Sequence, residues 1–147
     1  MSEEIRLKKG LNINLLGEAD KIFSSTKLAS KYAIKPTDFY NLTPKLLVRI
    51  GDKVEAGSVL FFDKYNEKVN FCSPVSGEII DIVRGAKRRI LEVVIKPDEK
   101  IKYKHFDFIK SGQLSREEII EIMLKAGVWP CIRQKPYDII ANPSDIN

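Results

Sequence analysis

The stretch between Val48 and Ile82 restricts the possible folds of this chain more than any other. Val48-Arg49-Ile50 runs into the turn Gly51-Asp52, Gly57 follows, and Val59-Leu60-Phe61-Phe62 re-enters an apolar run. Cys72-Ser73-Pro74-Val75-Ser76-Gly77 then makes a corner that launches Glu78-Ile79-Ile80-Asp81-Ile82. Glycine supplies positive φ at such corners without a Cβ clash, and Pro74 fixes φ where no ladder hydrogen bond is made. The apolar runs between them are too short for helices and read as strands. Ile5-Arg6-Leu7, Lys31-Tyr32-Ala33-Ile34, Leu46-Leu47-Val48, Lys68-Val69-Asn70-Phe71 and the runs from Glu78 to Val83 and Ile90 to Ile95 extend the series, and residues 11–26 read as loop. Period-two alternation places Val54, Val59, Phe61, Val69, Phe71, Ile80, Ile82, Val93 and Ile95 inside. Residues 5–97 are therefore expected to form one mainly-β barrel or sandwich.

The strand–Gly–strand unit followed by the Ser73-Pro74-Val75-Ser76-Gly77 corner resembles the biotinyl/lipoyl-type barrel-sandwich hybrid. That resemblance implies a test, because carrier domains hold a modified lysine at a hairpin tip a fixed distance before the corner. Counting back from the corner puts Asn66 there, with Lys64 and Lys68 nearby but out of register. All three are expected near a hairpin tip and unmodified, the polar residues of a solvated turn.

Pro97 and the charged run Asp98-Glu99-Lys100 mark a boundary, and residues 98–114 read as a linker. Ser115-Arg116-Glu117-Glu118 is then a capping-box sequence, in which Ser115 accepts from the third amide and Glu118 reaches back. Ile119, Ile120, Met123 and Leu124 make an apolar stripe at helical spacing, and Gly127 is a natural stop. The stripe reads as a packing face rather than a cofactor pocket. Beyond it, Trp129, two prolines and Arg133 suggest an ordered loop. With little left to pack on, residues 115–147 are expected to begin a following domain, weakly anchored, in the front part of a longer protein.

Composition removes several functions. Twenty-five basic against twenty acidic side chains leave +5, but the basic residues are spread and aromatics do not interleave with them, so a nucleic-acid platform is not expected. Cys72, Cys131 and His105 are the whole stock of soft ligands, too few for a zinc or iron–sulfur set. The cysteines are expected to be reduced, as in a cytoplasmic protein. No apolar run approaches spanning length. No Gly-x-Gly-x-x-Gly precedes a helix, and no serine or cysteine has an evident base. Catalytic residues are not expected.

Three further patterns are collinear. Ile5-Arg6-Leu7-Lys8-Lys9-Gly10-Leu11, Asp38-Phe39-Tyr40-Asn41-Leu42-Thr43-Pro44-Lys45-Leu46 and Arg84-Gly85-Ala86-Lys87-Arg88-Arg89 resemble the A subunit of the bacterial sodium-translocating NADH:quinone oxidoreductase. So does the segment from Gly127 through Trp129 and Arg133 to Pro136. The resemblance implies a cytoplasmic subunit peripheral to the inner membrane. Its complex passes electrons from NADH to quinone and exports sodium. Flavins and iron–sulfur centres are expected on other subunits, quinone involvement only in the full complex, and no cofactor in this chain. The expected role is a non-catalytic docking module whose partners are those other subunits. The alternatives are a lipoyl or biotinyl carrier and the related flavin- and NADH-binding subunit of an ion-translocating complex. Possible partner-surface residues are Arg84, Lys87, Arg88 and Arg89, a basic turn between two strands, with Trp129 and Arg133. A basic turn is first of all a solvated hairpin tip. Trp129 and Arg133 are of types enriched at interface hot spots, and a tryptophan packed inside a following domain is the equal alternative.

Overall fold

The computed structural model describes residues 16–106 and 114–144. The strand expected at Ile5-Arg6-Leu7 lies outside them, as do residues 107–113 of the linker. Residues 18–29 carry no regular structure, in line with the loop reading of that stretch.

Two antiparallel sheets share one core. The first has the order β1 (Tyr32–Ile34), β7 (Ile90–Pro97), β6 (Gly77–Arg84) and β3 (Lys53–Val54). The second has the order β2 (Pro44–Leu46), β4 (Val59–Asp63) and β5 (Asn66–Cys72). Leu60, Phe61, Val69 and Phe71 from the second sheet meet Ile79, Val93 and Ile95 from the first. Phe61 lies stacked on Phe71 with centroids 4.8 Å apart, and Phe39 meets Phe71 edge-on at 4.7 Å. Such pairs add ~1 kcal/mol to the burial of their area.

The glycine–proline region clasps the two sheets together. Gly51 N–H donates to Ile79 O and Ile79 N–H to Asp52 O, while Gly57 N–H donates to Ser73 O and Ser73 N–H to Ser58 O. Two buried hydroxyls complete the corner. Ser73 Oγ donates to Val75 O at 2.6 Å, and Ser76 Oγ donates to Asp98 Oδ2 while accepting from Lys102 N–H, both at 2.8 Å. Gly77 is required for space, because a Cβ there would overlap the Lys96 carbonyl.

Several expectations need correcting, each for a local reason. The strand expected at Leu46-Leu47-Val48 is Pro44–Leu46 instead, at a sheet edge where Pro44 forfeits nothing by lacking an N–H. Ile80, expected inside, is half-buried, and Ile79 is fully buried in its place. The β6–β7 register skips a residue between Ile79 and Asp81, so a bulge at Ile80 shifts the phase. Ile82, beyond the bulge, is partly buried against the core. A second bulge at Leu60 lets Leu60 and Phe61 both point inward, leaving Val59 half-buried. The stretch expected to be a linker begins pinned to the barrel. Ala56 N–H donates to Lys102 O and Lys104 N–H to Ala56 O, both at 2.9 Å.

The helix α1 spans Arg116–Lys125, with both arms of the Ser115–Glu118 capping box formed. Its end is a Schellman motif: Val128 N–H donates to Met123 O and Gly127 N–H to Leu124 O, with Gly127 at φ +70°. Leu124 is buried and Ile120 and Met123 pack on the barrel, whereas Ile119, read into the stripe, is exposed. A short hairpin that the sequence did not suggest, β8 (Arg133–Gln134) with β9 (Ile139–Ile140), closes the segment.

Candidate partner-docking site

The β6–β7 hairpin turns through Gly85, Ala86, Lys87, Arg88 and Arg89. Lys87 has φ +54° and Arg88 φ +60°, and Arg89 N–H donates to Ala86 O. Two consecutive left-handed residues closed by that bond make a type I′-like turn, which ordinarily takes Asn-Gly. A residue with a Cβ in this conformation costs about 1–2 kcal/mol. Two cationic residues are thus held at the tip in backbone conformations that oppose them. Arg84 braces the turn, its Nη1 donating to Arg88 O at 3.4 Å. All four cations are exposed, and none pairs with a carboxylate among the described residues.

Beside this turn lies a groove of about 500 Å³. Phe39, Leu42, Pro44 and Ile90 supply its apolar wall and floor, Asn41 and Thr43 one polar rim, and Arg88 and Arg89 the other. Residues 39–43 belong to the loop between β1 and β2 and Pro44 opens β2, all more than forty positions before the turn. In the sequence that loop stands out only through its resemblance to a known family. Its one local hint is Asn41, a residue type that tolerates the left-handed region and occupies it here at φ +59°.

Trp129 and Arg133 are not brought to this surface. Trp129 is only 7% exposed, packs into the barrel core, and donates its indole N–H to Ala141 O at 2.8 Å. Arg133 is half-buried: its Nε donates to Pro130 O, Nη1 to Asp138 O, and the guanidinium lies 4.8 Å from the Phe39 centroid. Asp138 has its carboxyl held below the usual carboxylate range, chiefly by the Lys135 ammonium bonded at 2.7 Å. Both residues read as interface anchors therefore fasten the second segment from within. Arg133 supports the groove indirectly, from behind Phe39.

Two other features stood out in the sequence, the supposed carrier turn and the helix stripe. Lys64 and Tyr65 form the two-residue tip of the β4–β5 hairpin, and Asn66 is the first residue of β5, paired with Asp63. The tip therefore lies immediately before the position obtained by counting, and β4 and β5 pair through two register shifts. Lys64 N–H donates to Thr43 O at 2.8 Å, and Asp63 Oδ1 accepts from Tyr65 and Thr43 amides, tying the tip to the start of β2. Lys68 lies further along β5, in a cleft of about 480 Å³ against α1. The neighbouring Glu121 carboxyl is held low by its hydrogen bond to Lys125, at 2.8 Å. Among the described residues there is no cluster of three His, Cys, Asp or Glu side chains. No described helix is long and apolar enough to cross a membrane.

Comparison with known proteins shows the family. Residues 5–98 match the NqrA N-terminal barrel-sandwich hybrid domain, and residues 114–146 match the NqrA second alpha/beta domain. The chain belongs to the NqrA family. The A subunit of the Na(+)-translocating NADH-quinone reductase of Vibrio vulnificus is 36% identical over 135 residues, covering 90% of this chain and 30% of that protein. Its counterpart in Pseudomonas aeruginosa is 30% identical over 141 residues, covering 95% of this chain and 32% of that protein. The chain thus spans about a third of the length of these NqrA relatives, and the resemblance read from collinear motifs is established as kinship. The barrel-sandwich fold expected from the glycine and proline corners is that of the NqrA N-terminal domain.

Proposed function

We propose that this chain is the N-terminal part of an NqrA subunit that serves its complex as a non-catalytic assembly module. The complex oxidises NADH, reduces quinone and exports sodium, and the module lies on its cytoplasmic face, peripheral to the membrane, in contact with other subunits. The observation that carries this reading is the collinear match of both NqrA domains across the chain. The basic turn at Arg84, Lys87, Arg88 and Arg89 is the partner contact, since its strained backbone serves no packing purpose. NADH, flavin and cluster sites belong to other subunits. Titration calorimetry with NADH and with flavin mononucleotide should show no saturable micromolar binding; tight binding of either would favour the flavin-carrying relative.

A carrier role has one observation in its favour, Lys64 at a hairpin tip. The bonds from Lys64 and Asp63 to Thr43 oppose it, because a swinging arm needs a tip that projects freely. An intact mass raised by one lipoyl or biotinyl group would revive it.

A further inference from the structure

We propose that the groove between residues 39–44 and the β6–β7 turn receives an acidic, partly apolar peptide segment of a partner protein. The inference rests on the docking role above and gives that contact its chemistry.

Charge complementarity selects the occupant. Arg88 and Arg89 stand on one rim, no carboxylate lines the groove, and Arg84 and Lys87 add positive charge beside it. Guanidinium groups bind carboxylates through paired, planar hydrogen bonds, so a segment bearing Asp or Glu satisfies both arginines. The floor adds a second requirement. Phe39, Leu42, Pro44 and Ile90 form an apolar surface that an all-acidic segment would leave uncovered. An extended segment directs alternate side chains to opposite sides, so acidic residues can face the rim while an apolar one enters the floor.

The wall is also set in advance. Phe71 meets Phe39 edge-on, and the Arg133 guanidinium, itself held by Pro130 O and Asp138 O, covers its ring. A ring fixed before binding loses little freedom on binding. A recessed groove with an apolar floor suits an inserted side chain better than the broad headgroup layer of an anionic bilayer. The same four cations on a flat face would favour lipid.

The test uses the intact protein and native membranes carrying its partner subunits. Wild type should bind them, and Arg88→Glu with Arg89→Glu should weaken binding at least tenfold. Lys27→Glu with Lys31→Glu makes the same charge change at exposed positions just before β1, whose Tyr32 pairs with Ile95, roughly 20 Å from the turn at 3.3 Å per residue. That control should bind as wild type. Arg88→Gln with Arg89→Gln, which cannot introduce repulsion, should also weaken binding. A soluble peptide of alternating glutamate and leucine should displace the wild type. Equal losses in both charge-reversal pairs, or an unaffected Arg88 and Arg89 pair, would overturn the groove while leaving a docking role intact. Equally tight binding to protein-free phosphatidylglycerol vesicles, abolished by the Arg88 and Arg89 changes, would overturn it in favour of lipid. Absence of wild-type binding to native membranes would instead overturn the docking role.

Discussion

The barrel and the segment that follows it are held together in different ways. In the barrel, order is distributed: seven strands contribute to one core, and the corner at residues 73–77 is bonded to two separate segments, Gly57-Ser58 and the stretch from Asp98 to Lys102. Residues 114–144 rest on a few fastenings. Leu124 and Trp129 enter the barrel's core, Asn70 Nδ2 donates to Leu124 O, and Gly127 lies directly over Cys72. A distributed core fails as a unit, whereas a segment with few fastenings can open while the rest stays folded. That difference sets a barrel that stays fixed against a segment that can lift from it.

The largest effect should come from the barrel's centre. Phe61 is fully buried and stacked on Phe71. Phe61→Ala removes that stack and leaves a cavity, costing about 3–5 kcal/mol. In urea, signals from β5 and from α1 should be lost together at a lower midpoint, because the segment has nothing to pack on once the barrel is gone. Loss of β5 signals while α1 signals persist would invert the hierarchy.

Next should come the fastening itself. Gly127→Ala puts a Cβ into a left-handed residue, which costs about 1–2 kcal/mol, and into contact with Cys72 Sγ, an overpacking worth about 1–3 kcal/mol. The expected outcome is detachment of α1 without unfolding of the barrel. Cys72 reports it directly. Burial pushes that thiol's pKa up, only partly offset by the Lys104 charge, so its thiolate is scarce in the folded protein. At pH 8 a thiol reagent should modify the exposed Cys131 first and Cys72 slowly. In Gly127→Ala both should react at similar rates. Because the folded pKa of Cys72 is raised, its contribution to stability is complete below the unfolded value and fades as pH rises through the folded one. Slow Cys72 modification in the variant would mean that the segment does not lift.

How much of this was legible in the sequence follows the same division. Strand positions between glycine and proline corners were readable because each corner has a local cause. The inward faces were readable only until a bulge intervened. At Leu60 and Ile80 one extra residue reverses the alternation, and nothing in Val59-Leu60-Phe61 or Ile79-Ile80-Asp81 marks which isoleucine or leucine is the extra one. The helix boundaries were readable to the residue, since the Ser115–Glu118 box and Gly127 are both local signals. What the helix packs on was not. The fastening of Trp129 and Leu124 to the barrel is a contact between distant parts of the chain, so no local signal marks it. The candidate groove was half legible. Its basic rim and Ile90 are neighbours in the sequence, but Phe39, Leu42 and Pro44 come from a stretch more than forty residues away, and only the fold joins them.

The smallest effect separates local helix stability from docking. Ser115 accepts from Glu118 N–H at 3.2 Å, and Glu118 Oε2 accepts from Ser115 N–H at 2.7 Å. Both residues are exposed, and neither touches the barrel's core. Ser115→Ala removes only the side-chain half of the box, a loss of about 1 kcal/mol in typical helices. If α1 opens independently of the barrel, amides in its first two turns should exchange roughly fivefold faster, the rate factor for 1 kcal/mol at room temperature. Amides of β5 and β7 should keep their wild-type rates, and the urea midpoint of the barrel should not move. If exchange in β5 accelerates by the same factor, the helix and the barrel open as one unit. The fastenings at Leu124, Gly127 and Trp129 would then couple the two regions as tightly as the barrel's own strands are coupled to each other.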